Sequence, residues 1–179
     1  EIELRRRVNL FRSLFRGRED VYAQRFVTKD GKRGYQPVCR NRWSIECKAH
    51  KYKCEGCAHR DLVPLDDAII RRHLHKGAKE TDIIGLFPIM EDNTCFFLCA
   101  DFDDKNCQHG YKDDVLSYVG VCNDWNIPVY IERSRSGNGA HLWIFFSEPV
   151  SAALARKLGF AILGSAMERN VQLDMKSYD

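Results

Sequence analysis

The sequence predicts an α+β fold in which a mostly antiparallel sheet carries its helices on one face, with a small cysteine-rich module and an N-terminal helix ahead of it. Three observations predict it. The apolar run from Thr94 to Asp103 lies between the polar turns Glu91-Asp92-Asn93 and Lys105-Asn106, as suits a buried strand, and its Phe and Cys content favours strand over helix. From residue 83 onward, strand-like and helix-like periodicities follow one another in the order β-β-α-β-β-α, the pattern of an antiparallel sheet with segregated helices. Four of the eight cysteines crowd into residues 39–57, where few aliphatic side chains exist to build a core.

Taken in order, residues 2–15 place Leu4, Val8, Phe11 and Phe15 on one helical stripe with arginines elsewhere, an amphipathic helix. Val21-Tyr22-Ala23 suits a brief strand, and Lys29-Asp30-Gly31-Lys32 reads as a turn, completing a lead-in over residues 1–34. Residues 35–65 form the cysteine module. The remainder, 66–179, reads as one domain. Asp66 opens a helix running to about His75, with acids first, cations last and Gly77 as its stop. Ile83 to Met90 and Thr94 to Asp103 are then expected to pair as a hairpin. Lys112 to Trp125 carries Val115, Tyr118, Val119, Cys122 and Trp125 at helical spacing, its aromatics read as core. Pro128 to Arg133 and Ala140 to Phe146 are strands. A last helix begins after Pro149, with Ser151 as its cap and Val150, Leu154, Leu158, Ile162 and Met167 along its apolar stripe.

Composition narrows the function classes. At 44% hydrophobic and 30% charged residues the chain has an ordinary globular composition, and no apolar stretch approaches the roughly 20 residues that span a bilayer. The charged start from Glu1 to Arg7 has no signal-peptide pattern, so a cytoplasmic location is expected. The net charge of +3 does not by itself mark a nucleic-acid binder. Its distribution says more: Arg5, Arg6, Arg7, Arg12, Arg16 and Arg18 crowd the beginning, Lys48, Lys51, Lys53 and Arg60 surround the cysteines, and Arg133 and Arg135 flank a glycine loop.

Three constellations carry chemistry. In a strand, Asp101 and Asp103 share one face while Phe102 points to the other, with Cα atoms roughly 6 to 7 Å apart, so both carboxylates reach one divalent metal or a metal pair. Taken alone, such a pair reads more readily as a solvated strand end, where acids are common. The loop Ser134-Arg135-Ser136-Gly137-Asn138-Gly139 precedes His141, and its glycines allow backbone amides to turn toward an anion that Ser136, Arg133 and Arg135 would also bind. In the strand that follows, His141, Trp143 and Phe145 share a face opposite Leu142, Ile144 and Phe146. Finally, Cys39, Cys47, Cys54 and Cys57 have spacings that close a tetrahedral zinc site, which would staple loops lacking any other core; His50 and His59 are alternative ligands. Cys95, Cys99, Cys107 and Cys122 read as buried, unreactive thiols.

The order Asp101-Phe102-Asp103, Ser136-Gly137-Asn138-Gly139-Ala140-His141 and Tyr178-Asp179 resembles the archaeo-eukaryotic primase superfamily. The fuller run from Ile131 to Phe146, with the upstream cysteines and the closing Ser177-Tyr178-Asp179, is similar to the primase-polymerase branch of mobile-element conflict systems and CRISPR loci. The resemblance covers about Tyr35 to Asp179. It implies an RRM-like catalytic sheet and a primase-polymerase that joins nucleoside triphosphates on a DNA template and primer, with RNA a further possible partner. In that reading Asp101, Asp103 and Asp179 hold two magnesium or manganese ions, while Ser136 and His141 contact the incoming triphosphate together with the glycines and Asn138 of the loop. The zinc module would help hold template or the initiating nucleotide. Catalytic cores of this branch continue beyond the position of Asp179, so a sheet incomplete at its C-terminus and further domains or partner proteins are expected. Two other classes fit parts of the pattern: a metal-dependent nuclease would use the acids, and a zinc-stabilised nucleic-acid-binding module would use the cysteines.

Overall fold

The computed structural model describes residues 2–49, 51, 53–54, 56–103, 110–135, 137–170 and 173. They form two compact units, residues 1–91 and 92–179. In the first, α1 (Ile2–Leu14) lays Val8 into a small core with Tyr22, Leu65, Ile69 and Ile70, and Phe11 packs against it. Strands β1 (Ala23–Val27) and β2 (Arg33–Pro37) form an antiparallel hairpin, Ala23 opposite Pro37 and Val27 opposite Arg33. Its turn is closed by Thr28 N–H on Lys32 C=O at 2.8 Å, with Gly31 at φ +82°, a left-handed conformation that glycine adopts without penalty. The short α2 (Ile45–Ala49) carries Cys47, and α3 (Asp67–His73) starts at Asp66, whose carboxylate accepts from the Ile69 amide at 2.8 Å.

The expected hairpin between Ile83–Met90 and Thr94–Asp103 does not form. Only β3 (Ile84–Gly85) is extended as a strand there, and it pairs with Ala23 and Gln24 of β1. The neighbouring backbone is committed to the same unit. Arg25 N–H donates to Ile83 C=O and Arg18 N–H to Phe87 C=O, both at 2.9 Å, and Pro88 has no amide to offer a ladder. The β-β-α-β-β-α order is therefore corrected in the second unit to β-α-β-β-α.

That second unit holds β4 (Thr94–Asp103), α4 (Tyr111–Asp124), β5 (Tyr130–Arg133), β6 (Gly139–Ser151) and α5 (Ala152–Arg169). Its antiparallel sheet has the order β4-β6-β5. Strand alternation divides the side chains as expected. Ala100, Phe102, Ala140, Leu142 and Ile144 are buried in a core with Val115, Tyr118, Val121 and Cys122 of α4 and Ile162, Leu163 and Ala166 of α5, so both helices pack on one face. Asp124 receives Arg169 at 2.6 Å and the buried Asp114 receives the Asn170 amide at 3.1 Å, tying the two helices together.

The last helix differs in two details from its expected form. Ser151 is the N-terminal cap residue, but its side chain makes no capping bond. The apolar stripe is also rotated: Leu154 is 61% exposed, while the small residues Ala155, Gly159 and Ala166 join Ile162 and Leu163 in the interior. Small side chains let the helix approach the sheet closely, and a hydrophobicity pattern gives them little weight.

Candidate functional site

The sheet face opposite the helices carries the candidate site. In the register of β4, β6 and β5, Asp101 lies opposite His141, and His141 lies opposite Glu132. Cross-strand neighbours on one face come within side-chain reach, and here they meet. His141 Nε2 lies 3.5 Å from Asp101 Oδ1, and His141 Nδ1 lies 3.3 Å from Glu132 Oε2. The indole Nε1–H of Trp143 donates to that same Glu132 oxygen at 2.8 Å. Asp103 follows two residues after Asp101, with Phe102 between them buried at 1% exposure, so both carboxylates project from the histidine side.

Negative charge is concentrated at this spot. Burial first, and then the nearby Asp101 and Glu132 carboxylates, push the Cys99 thiol up to about 12. Hard carboxylate oxygens such as those of Asp101 and Asp103 are the kind of donor that suits magnesium or manganese. Among the described residues, no three His, Cys, Asp or Glu side chains are grouped to hold a metal ion. Asp101 and Asp103 stand on the same face of β4, and Asp179 lies outside the described residues.

The glycine loop is the β5–β6 hairpin, and it ends beside the acids. Gly139 is the register partner of Asp103, and a Cβ at Gly139 would collide with the Phe102 carbonyl oxygen, so glycine permits this strand approach. Gly137 takes φ +81°. The loop closes on itself: Ser134 N–H donates to Gly139 C=O and Gly137 N–H to Ser134 C=O, each at 2.9 Å. Those two amides are thereby engaged within the loop. Arg133 pairs with Ala140 and so belongs to the helix-covered face, where its Nε and Nη2 donate to Gly137 C=O at 3.4 and 3.3 Å. Arg135 and Asn138 are exposed on the loop, and Ser136 lies outside the described residues.

With this geometry in view, comparison with known protein families is decisive. A family model for the archaeo-eukaryotic primase domain of the TOTE conflict system matches residues 6–179. The chain belongs to that family. No curated protein sequence matches it. In this primase-domain chain the expected acidic pair and histidine stand together, whereas Arg133 is turned away from them.

The four cysteines of the primase-domain chain also converge. Cys39, Cys47, Cys54 and Cys57 line one cavity of about 20 Å3, together with Arg42, Lys53, His59 and Arg60. Cys39 Sγ accepts the Asp61 amide at 3.3 Å, and Cys54 Sγ accepts Arg42 Nη1 at 3.9 Å. Trp43 and Ile45 beside them are 60% and 81% exposed, so these loops bury little apolar surface; among the described residues, the four thiols share a cavity but are not grouped as a metal site. His50 lies outside the described residues, so its alternative role as ligand stays with the sequence.

Glu132 is the member of the side-chain cluster around His141 that sequence reasoning did not single out. Its signal was present in the alternation of β5, since a residue two before Ser134 faces the same side as His141 once the hairpin register is known.

Proposed function

We propose that this chain is a template-directed nucleotidyl transferase, a primase-polymerase that joins nucleoside triphosphates on a DNA template. The observation that carries this reading is the pairing of Asp101 with His141 across β4 and β6, at the sheet end where the Ser134–Gly139 hairpin turns. Asp101, Asp103 and Asp179 would hold magnesium or manganese. Bound there, two such ions would lower the cost of deprotonating a primer 3′ hydroxyl and neutralise the departing pyrophosphate.

The residues of the chain do the positioning. His141 and Ser136 hold the triphosphate beside the carboxylates, and Arg135 approaches it from the exposed side of the loop. Phe102, locked in the core, fixes the backbone between the two acids, and Gly139 lets β6 come close enough to bring His141 to them. Holding reactants in an attack-ready arrangement accounts for a large share of the acceleration in such transfers. Cys39, Cys47, Cys54 and Cys57 hold a structural zinc ion, and the cations around them contact template or the initiating nucleotide. Further domains or partner proteins of a conflict system, a cytoplasmic setting and use of RNA belong to the same proposal.

The test is synthesis. Purified protein incubated with manganese or magnesium, primed and unprimed DNA templates and labelled deoxyribo- or ribonucleoside triphosphates is expected to yield extended or newly started strands. The double variant Asp101→Ala, Asp103→Ala is expected to yield none while still binding template. Cleavage of the template without synthesis would replace this reading by the nuclease, and binding with neither activity by the zinc-stabilised module.

A further inference from the structure

We propose that Trp43 is a stacking platform for an unpaired nucleobase, which makes the cysteine module a reader of single-stranded nucleic acid. The inference deepens the template contact of the proposed function and rests on nucleic acid being the partner there; it does not need the transfer chemistry. Trp43 lies in a tight turn in which Ser44 N–H donates to Asn41 C=O at 3.1 Å. Its φ is +76°, a left-handed conformation that Arg42 before it does not share. That is the sign pattern of a type II turn, whose third position calls for glycine or asparagine. An indole there carries a backbone cost that a glycine would avoid. The turn is held in spite of it. Asn41 Nδ2 donates to His59 C=O and Arg42 Nη2 to Gln36 Oε1, both at 2.7 Å, and Ser44 Oγ accepts the Cys47 amide at 3.1 Å. Strained positions persist only where surrounding contacts over-determine them, and they cluster at functional sites.

The side chain held in this way faces solvent rather than a core. Trp43 is 60% exposed, and the Arg42 guanidinium stands 5.0 Å from the centroid of its ring. Anchored through Gln36, that guanidinium steadies the indole by a cation–π contact. An exposed flat ring beside cations is the arrangement on which bases of any sequence stack. Charge complementarity names the partner. Residues 1–65 hold 16 Lys and Arg against 8 Asp and Glu, six against three of them in residues 35–65, whereas residues 66–179 hold 12 against 17. Lys48, Lys51, Lys53 and Arg60 are all exposed. A polyanion is therefore drawn to the part of the chain that carries Trp43. The polyanion that also presents flat rings is a single-stranded nucleic acid, since a duplex hides its ring faces within its own stack.

The test is equilibrium binding by the full chain, purified without chelator and assayed without nucleoside triphosphates or added divalent metal. The probes are labelled thymidine DNA and uridine RNA oligonucleotides, an abasic strand of equal length and a DNA duplex. The wild type is expected to bind the two base-bearing single strands most tightly. Trp43→Gly suits the turn and is expected to unfold at no lower a temperature than wild type. It should weaken binding to both base-bearing strands roughly 10-fold and erase their advantage over the abasic strand, whereas Trp43→Phe should stay within about threefold of wild type. Equal affinity of the wild type for abasic and base-bearing strands would overturn the proposal. So would undiminished binding by a folded Trp43→Gly, which would leave the indole to a protein partner. A loss confined to the DNA or to the RNA strand would also overturn it, because both offer the same ring faces to a stack. A chain that binds as stated yet makes no product upholds the platform and sinks only the transfer reading.

Discussion

Gly139 and Phe102 meet so closely that any side chain on the glycine would overlap the Phe102 carbonyl oxygen, and Asp103 Cα and Ser134 Oγ would lie 3.3 Å from the same added carbon. The end of β6 is thereby pressed onto the strand that carries both acids. Gly139→Ala must push the two strands apart. A loss of about 1 to 3 kcal/mol in stability is expected from such overpacking, measurable by denaturant unfolding. Strand synthesis should fall further than stability, because the displacement acts directly on Asp103.

Single substitutions of the acids should separate chemistry from folding. Asp101 and Asp103 lie on the face away from the core, so Asp101→Asn and Asp103→Asn are each expected to leave stability within about 0.5 kcal/mol of wild type. Nucleotide incorporation should fall at least about 100-fold in either, since several kcal/mol of charge stabilisation would be lost. Thermal unfolding and primer extension on the same preparations give both numbers.

The two arginines of the loop should behave differently. Arg133 spends its guanidinium on the Gly137 carbonyl from the helix side, whereas Arg135 is exposed on the turn. Arg135→Ala is expected to raise the nucleotide KM. Arg133→Ala should instead cost about 0.5 to 1 kcal/mol of stability through the loosened loop, with the smaller effect on KM. Steady-state kinetics on the pair, set beside their unfolding curves, checks the contrast.

Metal analysis bears on the cysteine module independently of catalysis. One zinc ion per chain is expected in protein purified without chelator, and Cys54→Ser or Cys57→Ser should lower that content and the unfolding temperature together. Stoichiometric zinc persisting in both variants would exclude the four-cysteine site.

Alkaline pH should weaken the second unit. Burial pushes the Cys122 thiol up to about 11, above its ordinary value of 9.0, and raises Cys95 as well. A group whose pKa is raised on folding holds its proton more tightly in the native state, so its contribution is complete below pH 9 and is lost as pH climbs toward 11. Unfolding temperatures measured across that window should decline, and Cys122→Ala should flatten part of the decline. The same burial should keep Cys122 unreactive toward thiol reagents at neutral pH in the native state.

Much of the site was legible because it depends on local periodicity. The apolar run before Asp101, the Asp-x-Asp spacing and the alternation from His141 to Phe146 each follow from residues near in sequence, and each lies on the expected face. Pairings between distant segments were not legible. Ile84 and Gly85 find β1 rather than β4 because Phe87 and Ile83 give their carbonyls to Arg18 and Arg25, distant partners in the chain that no local pattern names. Glu132 was hidden for the same reason: its meaning depends on a register fixed by a hairpin, not on its immediate neighbours. Leu154 misled because helix stripes are judged by hydrophobicity, while α5 packs through Ala155, Gly159 and Ala166.

The pairing of β4 with β6 slips between Cys95 and Phe97: Cys95 faces Val150, yet Phe97 faces Phe145, so β6 runs through extra residues around Ser147, Glu148 and Pro149, all exposed. This slack makes the segment a natural handle for instrumentation. A fluorophore or surface tether attached at Ser147→Cys would ride on the sheet six residues, up to roughly 20 Å, from His141. It could follow a primer or template arriving at the acids while leaving the ladder that aligns them undisturbed.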